Sequence, residues 1–180
     1  MQRCCTLAAR RVHLVSRRAK ASKTLSHVDA ATSLPRMVDV SNKTTTARRA
    51  IATCRVVFPR DTWETLQGSG FAGTKGPVLA TAVVAGVQGA KRTASLIPFC
   101  HPVALDACDV SFDEDSKECA LHVTCSVATT HRTGVEMEAL TGCSVAALTV
   151  YDMTKALSHS IVVEDLRLVQ KTGGESDYGD

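Results

Sequence analysis

Apolar and polar positions along the chain follow two different periods. Four segments alternate apolar with polar side chains or are rich in β-branched residues, which predicts strands. They lie at 50–58, 105–113, 119–129 and 160–171. In two longer segments, apolar side chains recur at helical spacing, which predicts helices at 77–97 and 135–155. A shorter helix is expected at 59–67, because Pro59 and Asp61 are residues typical of a helix start.

The order of these elements predicts the fold class. Long helices that cross a mostly antiparallel sheet define an α+β fold, and we expect the ferredoxin-like split βαβ arrangement. A Gly-rich loop at 68–76 precedes the second helix. The chain then divides into four parts. They are a leader at 1–27, an extended polar segment at 28–49, a catalytic α+β domain at 50–172 and a polar tail at 173–180.

The leader changes the meaning of the net charge of +3. It holds seven of the 21 basic residues and no acid, so residues 28–180 carry a net charge of −4. An Arg-rich segment with Ser and Thr, without acids and without a continuous apolar core, suits a mitochondrial transit peptide. The alternative is a basic arm that touches nucleic acid or nothing. We expect a mitochondrial matrix protein if the leader is a transit peptide, and a cytoplasmic one otherwise.

Composition excludes several classes of protein. The longest apolar runs are interrupted by Thr, Ser or Gly and are too short to span a membrane. The body lacks a basic stripe, and aromatic residues make up only 4% of the whole chain. We therefore expect neither a nucleic-acid partner nor a membrane partner. The eight cysteines form no C-x-x-C pair, which indicates reduced, buried thiols in an intracellular protein.

The helix at 135–155 has an apolar middle and ionisable residues at both ends. Asp152 and Lys155 share one helical face, either as an exposed ion pair in the last turn or as an acid–base couple. Glu136 and Glu138 begin the helix, where acids also favour the helix dipole. They share a face only if the chain enters this helix in an extended conformation.

The length of this helix argues for an oligomer. Glu138 and Asp152 are 14 residues apart, which is about 21 Å along a helix. One small substrate cannot reach both ends, so two functional ends require two sites per chain or sites shared between subunits. The nearly all-apolar middle predicts a helix that is buried on every side.

The segment "IPFCHP" and several cations are further candidates. His101 lies between Cys100 and Pro102, and prolines on both sides fix the backbone around it. The ordinary explanation of a lone His is structural, and no H-E-x-x-H or C-x-x-C motif indicates a metal site. Cations lie in the Gly-rich loop, near the end of the second helix and in flanking segments, and together they suit a polyphosphate. They are Lys75, Lys91, Arg92, Arg48, Arg49 and Lys171.

Four separated motifs resemble one family. "MVDVSNK", "KGPVLATAVVAGVQGAKRTASLIPFCHP", "TGVEMEALTGCSVAALTVYDMTKAL" and "DLRLVQKTGG" occur in this order between about residues 36 and 176. They resemble the MoaC family, the cyclic pyranopterin monophosphate synthases of molybdenum cofactor biosynthesis. The resemblance implies a homohexamer, built as a trimer of dimers, with sites at subunit interfaces. The implied substrate is 3′,8-cyclo-7,8-dihydroguanosine 5′-triphosphate, and the implied products are cyclic pyranopterin monophosphate and pyrophosphate.

The same resemblance implies the site residues. Asp152, Lys75 and Lys155 match the family's catalytic positions. The implied substrate-binding residues are Phe99, Cys100, His101, Glu136, Met137, Glu138, Lys91, Arg48 and Lys171. No metal site and no required cofactor are implied, although Mg²⁺ could accompany the triphosphate. The chain departs from the family pattern at "KGP", where "KGD" is frequent, and at Glu175, where Lys is common.

Three other functions remain open from the residues alone. The first is a scaffold that binds a pterin or nucleotide without turning it over. The second is a structural oligomeric domain, in which the ionisable helix ends only satisfy subunit contacts. The third is a thiol enzyme that acts through Cys100. Release of pyrophosphate and its loss on substitution of Asp152 or Lys155 would distinguish the synthase from the first two, and activity that survives Cys100→Ser would distinguish it from the third.

Overall fold

A computed structural model of the chain describes residues 28–29, 32–73 and 75–179. Its strands are β1 (Thr46–Val57), β2 (Ala72–Gly73), β3 (Gly76–Pro77), β4 (Ala107–Asp115), β5 (Ala120–His131) and β6 (Val162–Thr172). Its helices are α1 (Arg60–Gly68), α2 (Val78–Lys91), α3 (Thr93–Leu96) and α4 (Glu136–Thr154). The leader, for which we predict a transit peptide, lies outside the described residues.

Four strands form one antiparallel sheet in the order β4-β5-β1-β6. β1 pairs along its whole length with β5, from Thr46 opposite His131 to Val57 opposite Ala120. On its other edge β1 pairs with β6, with irregularities near Ile51 and Thr53. The predicted α+β class with a mostly antiparallel sheet is confirmed. The finer ferredoxin-like assignment stays a prediction.

One face of the sheet forms the core with α2 and α4. Alternate residues of β1, from Ala50 to Val56, are at most 2% exposed, while the residues between them are half-buried. Leu121, Val123 and Cys125 of β5 are fully buried on the same face. This period of two is the pattern that the sequence showed, because one side of each strand packs against the helices and the other does not.

The helices α2 and α4 approach each other through glycines. A Cβ atom at Gly89 would lie 2.8 Å from Cβ of Val145, and one at Gly86 would lie 3.0 Å from the carbonyl oxygen of Gly142. Real Cβ atoms essentially never approach another heavy atom as closely as at Gly89, and seldom as closely as at Gly86. The small residues therefore set the distance between α2 and α4, and so fix where the ends of α4 lie on the sheet.

Two element boundaries differ from the sequence predictions. The segment 77–97 is two helices, because Arg92 leaves the helical conformation and the Thr93 hydroxyl donates to the Ala90 carbonyl at 2.9 Å. That hydroxyl satisfies a carbonyl of the last turn and so helps to end α2. β1 begins at Thr46 rather than at residue 50, because pairing with β5 and β6 extends the strand into a polar segment.

The helix 135–155, for which we predict burial on every side within an oligomer, is only partly buried in a single chain. Ala146, Ala147 and Val150 are fully buried, but Leu148 is 58% exposed and Met137 is 37% exposed. The apolar positions cover more of the helix circumference than one sheet and one neighbouring helix can bury. An apolar strip of α4 therefore faces outward from the chain.

The described cysteines are free thiols in the core or at its edge. Cys54, Cys119, Cys125 and Cys143 are buried, and Cys100 and Cys108 are half-buried. The Sγ atoms of Cys54 and Cys143 are 3.3 Å apart between β1 and α4. Among the described residues, no helix has the length and hydrophobicity to cross a membrane.

We expect Gly89→Ala to destabilise the protein by about 1–2 kcal/mol. The new methyl group meets Cβ of Val145, which can move only with the α4 backbone, and overpacking outweighs the gain in helix propensity. The measurement is the urea midpoint of unfolding of the full chain. The control is Gly68→Ala at the end of α1, where nothing lies within 4 Å of the new Cβ. Equal midpoints for the two variants would refute the close helix contact.

Candidate active site

Asp152 joins two lysines at the C-terminal end of α4. Its carboxylate oxygens lie 2.7 Å from Nζ of Lys155 and 3.2 Å from Nζ of Lys75. Lys155 follows one helical turn after Asp152, so the helix itself sets this pair. Lys75 reaches the same carboxylate from the turn between β2 and β3, where Gly76 has a φ of +102° that favours glycine. The three predicted catalytic residues therefore lie together.

The charges of this cluster are paired in the single chain. The hydrogen bonds from Lys155 and then Lys75 lower the pKa of the Asp152 carboxyl, and the hydrogen bond to Asp152 raises the pKa of Lys155. All three side chains are about half exposed. Burial therefore does not hold a proton on Asp152 in one chain. The geometry still lets a proton pass between Asp152 and either lysine.

Glu136 pairs with Lys171 at the other end of α4. Oε1 of Glu136 lies 3.3 Å from Nζ of Lys171, which is on β6. Arg48, on the neighbouring strand β1, is oriented by a hydrogen bond of 3.0 Å from its Nε to the His131 carbonyl. These three residues and Gly174 line a narrow cleft of about 10 Å³, which is room for about one water molecule. The cleft, which Arg49 also lines, brings three cations and one acid to one edge of the sheet.

Glu138 lies deeper than Glu136. The helix begins at Glu136, and two residues that are two positions apart in a helix lie on different sides of it. The two residues are both in the first turn, so the extended entrance in which they would share a face is not formed. Glu138 is 4% exposed, and its burial, with a smaller contribution from Glu136, raises the pKa of its carboxyl. Burial is the main cause that raises the pKa of the Cys100 thiol, and the nearby charge of Glu138 raises it further. A buried acid of this kind favours its protonated form.

A larger cavity joins Glu138 to the end of α2. It has a volume of about 280 Å³ and is lined by Ala90, Lys91, Ala94, Ser95, Pro102, Val103, Ala104 and Glu138. Lys91 is thus the one predicted substrate-binding cation that lies beside the buried acid in this cavity. The volume is just below the range of about 300–1,000 Å³ that is typical of ligand sites.

The segment 99–101 follows α3 and lies near the start of α4. Phe99, Cys100 and His101 are half-buried. Hydrogen bonds from Ser41 are the main cause that lowers the pKa of the Asp39 carboxyl. His101 is near enough to lower this pKa slightly further. Asp39 is absent from the residues predicted from the sequence. Its place in the motif "MVDVSNK" was the available signal.

The structure places the predicted residues in two groups. Lys75, Asp152 and Lys155 form one group at the C-terminal end of α4, and the cleft and cavity of the others lie at its N-terminal end. The helix between them fixes a separation of about 20 Å. A single chain therefore does not bring all of the predicted site residues together. Within the described residues, no group of three or more His, Cys, Asp or Glu side chains is arranged to hold a metal ion.

The fold and the site define an α+β protein that combines a Lys–Asp–Lys cluster with a separate cationic cleft. Residues 37–174 match the MoaC family, so the chain belongs to that family. The match contains every residue that we predicted for the site and extends over the whole sheet.

Curated relatives agree over most of the chain. A protein of Xanthomonas oryzae pv. oryzae named cyclic pyranopterin monophosphate synthase is 53% identical over 88% of this chain and 94% of its own length. A protein of the same name from Heliobacterium modesticaldum is 51% identical over 79% of this chain and 89% of its own. A molybdenum cofactor biosynthesis bifunctional protein of a Synechocystis strain is 44% identical over 79% of this chain and 42% of its own.

We expect the free energy of unfolding of Glu138→Gln, compared with that of the wild type at the same pH, to increase as the pH rises from about 4 to about 7. Folding raises the pKa of Glu138 above its ordinary value of 4.5, so ionisation of this acid weakens the folded state. The stability that the protonated acid contributes is complete at low pH and is lost as the pH rises through the folded pKa. The gain is at most about 1.4 kcal/mol per pH unit. The measurement is urea unfolding at a series of pH values.

Asp152→Asn is the control of opposite sign for this experiment. The two lysines lower the pKa of Asp152, so its ionised form favours folding, and the variant should lose stability relative to the wild type as the pH rises. A difference between Glu138→Gln and wild type that stays constant with pH would show that folding does not raise the pKa of Glu138.

Proposed function

We propose that this chain is a cyclic pyranopterin monophosphate synthase of molybdenum cofactor biosynthesis. It would convert 3′,8-cyclo-7,8-dihydroguanosine 5′-triphosphate to cyclic pyranopterin monophosphate and release pyrophosphate. The observation that carries the proposal is one carboxylate held between two lysines at 2.7 and 3.2 Å, in a chain whose relatives have this name. Ring opening and ring closure require proton transfers, and such a cluster supplies donor and acceptor groups within one hydrogen bond of each other.

The roles of the three catalytic residues follow from their contacts. Asp152 accepts a proton and Lys155, one helical turn away, donates one while the purine is remodelled to a pterin. Lys75 is in a turn rather than a helix, so it can orient towards the reacting ring or the phosphate. Because both lysines contact Asp152 in a single chain, we expect the substrate to displace at least one of them from the carboxylate.

The remaining predicted residues bind the substrate. Lys91, Arg48, Lys171 and His101 would hold the triphosphate and stabilise negative charge as pyrophosphate leaves. Phe99, Cys100, Glu136, Met137 and Glu138 would contact the rest of the substrate. Glu138, the buried acid, can donate a hydrogen bond in its protonated form or accept one when ionised.

The layout supports an assembly in which sites form between subunits. We infer a homohexamer, a trimer of dimers, in which the C-terminal end of α4 from one subunit meets the N-terminal end of α4 from another. Two observations support it. The two groups of site residues are separated by about 20 Å within one chain. The outward strip of α4, with Leu148 58% exposed, is apolar and needs a partner to cover it.

Cofactor and location are part of the same proposal. No resident cofactor is required, because proton transfer and phosphate cyclisation need no redox or electron-sink chemistry. Mg²⁺ could accompany the triphosphate as part of the substrate. The protein would act in the mitochondrial matrix if its basic leader is a transit peptide, and in the cytoplasm otherwise.

The second candidate function is a scaffold that binds the pterin or nucleotide without chemistry. The paired, half-exposed state of Asp152 in one chain is the observation that favours it, because such a carboxylate is not tuned for catalysis by burial. The two functions differ in one product, since only the synthase releases pyrophosphate.

We expect Lys75→Ala, Asp152→Asn and Lys155→Ala each to lower the rate of pyrophosphate release by at least about 100-fold, since each removes a group that positions or transfers a proton. The assay is pyrophosphate release from the cyclic triphosphate by the full chain, with oligomer size checked by light scattering. Lys117→Ala in the exposed turn between β4 and β5 is the matched control and should retain activity. Binding without release by the wild type would favour the scaffold.

A further inference from the structure

The C-terminal tail folds back onto the edge of the sheet that carries the cationic cleft. Lys171 and Tyr178 exchange two backbone hydrogen bonds of 2.8 and 3.0 Å, so residues 172–177 form a closed turn. Inside it, the Thr46 hydroxyl donates to the Gly173 carbonyl at 2.7 Å, and the Gly173 N–H donates to the Asp177 carboxylate at 3.0 Å. The turn is therefore held to β1 and β6 at defined points.

Glycine is required where this turn meets β1. Gly173 has a φ of +81°, and a Cβ atom there would collide with the Ala47 carbonyl oxygen. A Cβ atom at Gly174 would lie 3.5 Å from a guanidinium nitrogen of Arg48. The backbone of the tail thus lies directly against one of the cations that we assign to the triphosphate.

Glu175 places an acid in the same group of cations. Its carboxylate lies 2.7 Å from Nζ of Lys43, in the segment that leads into β1. The Lys43 ammonium is the main cause that lowers the pKa of Glu175, and Arg48 and Lys171 lower it further. The side chain of Glu175 is 85% exposed, so charge holds it in place and packing does not. A competing anion can therefore displace it without disturbing the core.

We propose that Glu175 competes with the phosphates of a bound polyphosphate for Lys43. Arg48 and Lys171 line one cleft with Gly174, and the next residue, Glu175, holds Lys43 at 2.7 Å, so these three cations lie around the same turn of the tail. The Glu175 carboxylate occupies the position on Lys43 that a phosphate oxygen would take. Glu175 then lowers the affinity of this cluster for the triphosphate substrate and for the pyrophosphate product. The inference rests on the proposed function only in naming these two ligands, and it adds Lys43 and Glu175 to the residues that set affinity.

Direct binding of inorganic triphosphate to the full chain tests this inference. Calorimetric titrations at pH 7 and low ionic strength would compare wild type with Glu175→Gln, because salt screens exposed charges. We expect Glu175→Gln to bind triphosphate about two- to fivefold more tightly, the range expected for one exposed ion pair. Glu64 is an exposed acid in α1, which follows the end of β1 that is remote from this cluster. Glu64→Gln makes the same change in charge and should leave the affinity unchanged.

A second background separates competition for Lys43 from a general effect of charge. In Lys43→Met protein, Glu175→Gln should no longer strengthen binding, because the contested cation is gone. An equal gain in both backgrounds would overturn the competition, as would a Glu175→Gln affinity equal to that of Glu64→Gln. Absence of triphosphate binding in every variant would also overturn it, because the cluster would then not be an anion site.

Pyrophosphate release, measured separately, keeps this inference distinct from the proposed function. A chain that releases pyrophosphate but shows no change in affinity with Glu175→Gln contradicts the role of Glu175 alone. A chain that shows the change in affinity but releases no pyrophosphate supports the role of Glu175 and contradicts the synthase.

Discussion

The packing of α4 against the sheet and α2 determines the rest of the layout. The fully buried side chains of Ala146, Ala147 and Val150 anchor the helix to the sheet, and Gly86 and Gly89 let α2 approach it closely. A helix held so tightly along its middle cannot bring its ends together. The Lys–Asp–Lys cluster and the cationic cleft are consequently kept about 20 Å apart in one chain.

Without substrate, the acids at both ends of α4 are paired with cations of the same chain. Asp152 is satisfied by Lys75 and Lys155, and Glu136 is satisfied by Lys171. Exposed pairs of this kind contribute little to folding, so a ligand with several negative charges can replace the acids at low cost. Glu138 is the exception, because it is buried and its pKa is raised by desolvation. Burial therefore makes Glu138 easier to protonate than the paired, exposed acids.

Sequence periodicity predicted the elements well because it reports burial. The alternation in β1 and the apolar middle of α4 both correspond to buried positions, and the spacing of Asp152 and Lys155 predicted their ion pair. The break at Arg92 was not predicted, because it depends on one hydroxyl hydrogen bond. Asp39 and Lys43 were not identified as site neighbours, because only the fold brings their segment to the site, and Glu175 was noted only as a departure from the family pattern. The all-apolar middle of α4 was predicted, but which of its faces stays exposed in one chain was not, because periodicity cannot distinguish burial within a chain from burial between chains.

Complementation between two inactive variants tests most directly whether the site forms between subunits. Asp152→Asn removes the catalytic carboxylate, and Lys171→Ala removes a cation from the opposite end of α4. If each site takes one end from each of two subunits, random co-assembly of the two variants leaves about a quarter of the sites intact. Pyrophosphate release should then recover in the mixed oligomer although each variant alone is inactive. Mixed oligomers that stay as inactive as their parents would contradict a shared site.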